Sequence, residues 1–446
     1  MLDQCCISSL PNNFANLSNL RHLSLLYSQK LKRLPVSFKN LKLLEHLNLG
    51  WCSELTLTVE DLNFLENITR LNFLNLSGCK QLEELPRHIT HQASLTELYF
   101  SETSIRELPD NIGQLSMLRE LDFSETSIRE LPDSIGQLSK LRELKINVLS
   151  SSLPTSLGDL SSLMNLSIQS CPKLERLPDS IADLSYLRNL LIEDCPQLKC
   201  LPDSIGQLSK LTELKIENLL FSSLPTSLGD LSSLMNLSIQ SCPKLERLPD
   251  SIADLSYLRN LLIEDCPQLK CLPDSIGQLS KLRELKINVL SSSLPTSLGD
   301  LSSLMNLSIQ SCPKLERLPD SIADLSYLRN LLIEDCPQLK CLPKSIMQLN
   351  NLQELTISNC PIGELDFGKA SLPFGLSNLR KIFLQATEMS RISFSEDCCP
   401  YLESLDLFNN HQLEEIEALP ITLKSINLEN SEMLKKIPSF AGLTSQ

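Results

Sequence analysis

The sequence predicts an α/β solenoid, in which short parallel strands stack into one sheet and short helical or irregular segments line the opposite side. Three observations carry this expectation. Leucine supplies 99 of the 446 residues, over half of the 42% hydrophobic share, while aromatics are 4% with a single tryptophan. Leu-Pro returns at Leu10, Leu34, Leu85, Leu108, Leu131, Leu153, Leu177, Leu201, Leu224, Leu248, Leu272, Leu294, Leu318 and Leu342, in steps of 22 to 24 residues apart from one gap of 51 that fits two units. Between these marks the skeleton LPxxIxxLxxLxxLxIxxCxxLxx recurs, as in LPDSIADLSYLRNLLIEDCPQLKC at residues 177–200. About eighteen such units account for the chain, and no unit can bury its apolar edge without its neighbours.

Each segment of the unit follows from its residues. In LRNLLIEDC, Leu187, Leu190 and Ile192 alternate inward as a short strand demands, leaving Asn189, Leu191 and Glu193 on the other face. Repeated strands then form a parallel sheet lining the concave side of a horseshoe. Cys195 closes the strand segment, Leu198 and Leu201 pack the next bend, and Pro202 stops the strand. Asp203 and Ser204 are placed to cap a short helical turn that points Ile205, Leu208 and Leu211 inward. The period and pattern are those of the leucine-rich repeat.

A larger duplication overlies the small one. Residues 154–216 and 225–287 are identical over 63 positions except Thr212 against Arg283, and residues 295–343 repeat the first 49 before diverging at Lys344. One solenoid is therefore expected over 1–446, with divergent repeats at 1–152, near-identical three-unit cassettes at 153–343 and divergent repeats at 344–446. The stretches near 57–68 and 367–399 are less regular but too short for another domain. The chain opens on the convex half of a unit, LPNNFANLSNL, and stops at IPSFAGLTSQ, the start of another. Neither end carries a recognisable polar cap, and an excerpt or truncated gene product is the expectation.

Composition narrows function. A net charge of −14 opposes nucleic acid or anionic membrane as the main partner. No apolar run approaches the ~18 residues of a membrane span, so membrane insertion is not expected. MLDQCCISS lacks the basic start and apolar stretch of a signal peptide, and sixteen cysteines then suggest free thiols in a reducing, cytoplasmic setting.

The phrase LPDSIGQLSKLRELKI, followed by LxLxxC and LxxLP patterns, resembles the cytoplasmic class of leucine-rich repeats found in plant intracellular immune receptors and Ras-group repeat proteins. LNLSGCKQLEELP, residues 74–86, is especially similar to plant disease-resistance receptors of the nucleotide-binding type. Cys52, Cys79, Thr103, Thr126 and Cys171 occupy that pattern's closing position. Some secreted effectors of plant pathogens are also similar. Extracellular plant repeats typically carry GxIP where these units carry LP. No GxxxxGK[ST] loop is present, so the nucleotide-binding module of such a receptor is absent from this sequence, as is room for an appended catalytic domain. The resemblance implies recognition, with switching or chemistry located elsewhere.

No catalytic, cofactor or metal site is expected. CPQLKC recurs at Cys195/Cys200, Cys266/Cys271 and Cys336/Cys341, but the first cysteine of each pair is a closing residue and no histidine recurs beside it, so structural thiols are the better account. Cys398-Cys399 reads as packing. His22 and His46 fall on neighbouring strands and lack a third ligand in sequence; His88, His91 and His411 stand apart. Acid pairs such as Glu193-Asp194 recur because the cassette does. Asn-x-Ser tripeptides such as 165–167 arise from the strand pattern.

Outward strand positions carry what the core does not explain. Read in order they begin with His22, Ser24, Leu26, His46, Asn48, Trp51, Phe73, Asn75, Glu97 and Tyr99. An acidic, repetitive middle follows: Glu120, Asp122, Glu143, Lys145, Glu193, Glu213, Glu217, Glu264, Glu284 and Glu334. Lys381, Phe383, Asp406 and Phe408 stand near the other end. Aromatics in a polar surface concentrate binding energy. The candidate protein-binding residues are therefore His46, Trp51, Phe73, Tyr99, Glu120, Asp122, Glu143, Phe383 and Phe408, the alternative for Trp51 being packing that shields the first repeats. The expected function is non-catalytic recognition of a protein partner with a basic surface, as the sensor region of an intracellular defence receptor. A plant-like bacterial effector or a Ras-group scaffold is the alternative.

Overall fold

The computed structural model describes residues 2–147, 152–367, 376–394 and 399–438. The chain divides into two compact units, Met1–Leu220 and Phe221–Gln446. In the first, nine short strands run from His22–Ser24 to Glu213–Glu217, each parallel to the next and in register. Among its described residues the second has nine strands of the same kind, from Asn236–Gln240 to Ser425–Asn427. Both are leucine-rich repeat solenoids.

The strand alternation holds. In Asn189–Glu193, Leu190 and Ile192 are buried while Asn189, Leu191 and Glu193 face out. Leu187, Leu198, Leu201, Ile205, Leu208 and Leu211 complete the core of that repeat, none of them more than 2% exposed. Cys195 is buried at the closing position, its thiol 3.2 Å from the Glu193 carbonyl. Thr103 and Thr126 do the same work with hydroxyls that donate at 2.8 Å to the Phe100 and Phe123 carbonyls. A small hydrogen-bonding group is needed there because the chain leaves the sheet inside the core.

The opposite side consists of 3₁₀ turns of mostly five residues, such as Asp203–Gln207. Their capping corrects the sequence reading. Pro202 occupies the cap with φ −69° and ψ 149°, and no side chain bonds the turn's free amides. Instead the Ser204 hydroxyl donates to the Asp179 carbonyl of the preceding repeat at 3.0 Å. Ser180, Ser251, Ser275 and Ser321 repeat this bond. Proline fixes the entry angle, which frees serine to tie one repeat to the one before.

The second unit also carries described strands around the less regular stretch of the sequence. Glu364–Phe367, Arg391–Phe394 and Glu415–Ile416 form a separate three-stranded parallel sheet, with Phe367 and Phe394 stacked at 5.0 Å.

Candidate functional site

In the first unit, alternation sends Leu23, Leu47 and Leu74 into the core and so turns His22, His46 and Phe73 outward at one register level on three adjacent strands. Their rings make a row. His22 and His46 lie 5.8 Å apart, and His46 stacks on Phe73 at 4.0 Å and 17°. Tyr99, opposite Asn75 one strand further on, tilts against Phe73 at 5.5 Å. Burial, then the neighbouring His22, holds the His46 imidazole below its ordinary pKa, with Asp3 opposing.

The row runs into carboxylates. Glu97, Glu120 and Glu143 share one register level, and Tyr99, Asp122 and Lys145 share another. The Tyr99 hydroxyl donates to Glu120 and lies 3.1 Å from Glu97 Oε2. Burial and these two carboxylates push the phenol's pKa strongly upward. Lys145 Nζ stands 3.2 Å from Glu143 and 4.0 Å from Asp122. Among the described residues neither Glu97 nor Glu120 pairs with a lysine or arginine.

Further along, the acidic middle is extensively compensated. Glu193 accepts from the Gln169 amide at 2.6 Å, Glu213 pairs with Lys215 at 2.9 Å, Glu264 pairs with Lys286, and Glu334 accepts from Gln310 at 2.9 Å. Asparagine amides bond across strands at 2.6 Å in each cassette copy, Asn189 to Asn165, Asn260 to Asn236 and Asn330 to Asn306. A shallow depression of about 220 Å³ over Asn165, Ser167, Asn189 and Leu191 has a counterpart of about 290 Å³ over Asn306, Ser308, Asn330 and Leu332.

Two placements from the sequence are corrected. Trp51 is not an outward strand residue. Strand His46–Asn48 ends before it, and Trp51 occupies a left-handed turn at φ 60° just ahead of closing Cys52. Its ring stacks on Tyr27 at 6.1 Å and 17°, and Gly78 follows it, where an added Cβ would lie 3.0 Å from the Trp51 ring. The half-buried tryptophan thus belongs to a second row, Tyr27–Trp51–Gly78. The residue ahead of a closing position lies beyond the strand, so strand alternation does not place it. Phe408 is likewise not an outward strand residue: it sits in the turn after strand Ser404–Asp406, while Phe383 lies opposite Asp406.

The cysteine pairs split between environments. Cys195, Cys266 and Cys336 are buried whereas Cys200, Cys271 and Cys341 are exposed. Cys399 is buried, and Cys398 lies outside the described residues. Burial pushes the Cys52 and Cys79 thiols up to about 11 and about 12. His88 and His91 lie 5.9 Å apart beside a cleft that includes Glu84, Glu107 and Asp110. Among the described residues no group of three or more His, Cys, Asp or Glu is placed to hold a metal ion, and no helix is long and apolar enough to cross a membrane.

These features define a repeat solenoid of the leucine-rich kind. Residues 68–174 match a family model described as a leucine-rich repeat region. Among solved structures, a leucine-rich repeat protein of Leptospira interrogans is 28% identical, over 80% of this chain and 94% of that one, at a TM-score of 0.62. The Drosophila Toll–Spätzle complex aligns over 96% of this chain and 56% of that one, at 17% identity and TM-score 0.67. An internalin from Listeria monocytogenes aligns over 66% and 83%, at 18% identity and TM-score 0.50. The latter two show likeness of fold alone. No curated protein sequence matches.

Proposed function

We propose that the chain is a non-catalytic recognition module that binds a protein partner on the open face of its sheet, in the first unit. The observation that carries this reading is the outward row His22–His46–Phe73–Tyr99 running into Glu97 and Glu120. A core does not need this row, because the leucines behind it are already buried. Aromatic rings on a rigid sheet supply contact area at little entropic cost. The neighbouring carboxylates steer a partner with a basic surface.

Within that class we favour the sensor region of an intracellular, cytoplasmic defence receptor, on the strength of LNLSGCKQLEELP and the LP marks of the cassettes. The second reading is a plant-like repeat protein made by a bacterium, which the likeness to the Leptospira protein favours, or a Ras-group scaffold. Capture from plant cytosolic extract, with bound proteins identified by mass spectrometry, tests the module. Wild type should retain a specific protein that a folded Phe73→Ala/Tyr99→Ala variant loses. Equal retention by both would move the site off this row. Raising salt from low to physiological should slow association; an unchanged rate would remove the steering role.

A further inference from the structure

We infer that the face between Phe73 and Glu120 receives an arginine side chain of the protein partner, its guanidinium spanning Glu97 and Glu120 and its stem lying along the Phe73 ring. This deepens the recognition reading above and rests on it.

The argument begins with a deficit of donors. Glu97 and Glu120 are in register on adjacent parallel strands, a separation of ~4.8 Å along the sheet. Both reach the hydroxyl oxygen of Tyr99. A phenol carries one proton, so it satisfies one carboxylate and turns a lone pair toward the other. For several other carboxylates of this face the unit supplies its own donors: Lys145 to Glu143 and Asp122, Gln169 to Glu193, Lys215 to Glu213. Among the described residues Glu217 shares the lack of a donor but has no aromatic ring opposite it, its register partner being Glu193. Among the described residues no lysine or arginine of the chain fills that role between Glu97 and Glu120.

The surroundings select the donor. Phe73 lies opposite Glu97 at the same register level, with His46 stacked on its ring, so a cation at the two carboxylates would lie beside that ring. A guanidinium is planar, forks its donors to two acceptors and stacks on aromatic rings, whereas an ammonium is a compact, strongly hydrated point charge. A bare metal ion is the wrong guest, since among the described residues no set of three His, Cys, Asp or Glu ligands converges here. The ring row continues from Phe73 across His46 to His22, roughly two further strand spacings or ~10 Å. A free small cation would leave that row uncovered. A polypeptide covers it with apolar side chains adjoining the arginine.

Selection of a phage-displayed library of random 12-residue peptides tests this, with the full chain as bait in three forms: wild type, Glu97→Gln/Glu120→Gln, and Phe73→Ala. Thermal melting confirms that each bait is folded. Wild type should enrich peptides with arginine beside apolar residues, and synthetic copies should bind the double glutamine variant roughly ten-fold or more weakly. Replacing that arginine by citrulline, which keeps the shape and removes the charge, should cost as much; replacement by lysine should recover only part. If wild type yields no peptides, or peptides without arginine, the assignment is overturned. Arginine peptides that bind wild type and the glutamine variant equally also overturn it. If those peptides lose binding to Phe73→Ala alone, the ring row survives as the recognition site. If all three baits bind equally, the arginine assignment is overturned and the site lies off this row.

Discussion

His46 is held between His22 and Phe73, and burial makes its charged form the costly one. Its pKa in the folded chain therefore lies below the unfolded value, so the unfolded chain binds the proton more readily. Stability from this residue is present at neutral pH and is lost as pH falls through the region below 6.5. Urea midpoints at pH 7.5 and pH 5.0 should show wild type losing more than His46→Phe, by roughly a few tenths of a kcal/mol because the ring remains partly exposed. An equal loss in both would show that the stacked geometry does not restrain the proton. Thiols give a second test at this scale. Native iodoacetamide treatment, followed by peptide mass mapping, should label Cys200, Cys271 and Cys341 well before Cys52 or Cys79, whose thiolates burial suppresses. Early labelling of Cys79 would mean that the closing position opens to solvent.

The unit of construction is a strand, a closing residue and a 3₁₀ turn, and its spacing leaves little slack. At Gly158 an added Cβ would fall 2.3 Å from the Ser180 carbonyl oxygen of the next repeat, and Gly136 and Gly299 meet Ser156 and Ser321 as closely. Gly158→Ala should therefore lower stability by about 1–3 kcal/mol, read as a lower urea midpoint. The middle unit of each cassette carries Ala182, Ala253 or Ala323 at the equivalent place, so Ala182→Gly should cost only about 0.5–1 kcal/mol through backbone entropy. Similar costs at both positions would show that the close approach is relieved by a small shift. At this scale the sequence was most legible: alternation placed Leu190 and Ile192, and the Leu-Pro mark placed each turn. It misjudged the caps, because Asp-Ser after proline reads locally as a helix start while Ser204 bonds to a carbonyl 25 residues earlier. Such a partner becomes visible only once the repeats are stacked.

At the scale of the whole chain, the repeat period was sufficient to give a solenoid in each unit, whereas the proposed recognition site needed neighbouring strands in register. His46 and Phe73 stand 27 residues apart and touch because two units differ in length by a known amount. Trp51 was misplaced because its left-handed backbone conformation follows from the turn into the core, which no apolar pattern encodes. The cassettes supply a prediction at this scale. Deleting residues 225–294 joins Leu224 to Pro295 and restores a Leu-Pro mark, so the shortened chain should fold with an unchanged far-ultraviolet signal per residue. Its urea m-value should fall by about a sixth, in proportion to the surface removed. A chain that fails to fold would show that the copies are not interchangeable. The same in-register identity has a kinetic side. During refolding, a strand such as Asn306–Gln310 presents the same sequence as Asn236–Gln240, so the growing sheet can accept the later copy first. The skipped cassette would then hang out as a loop of some seventy residues, whose closure entropy rises only slowly with length. Docking of the earlier copy before the later one has been synthesised would exclude that slip.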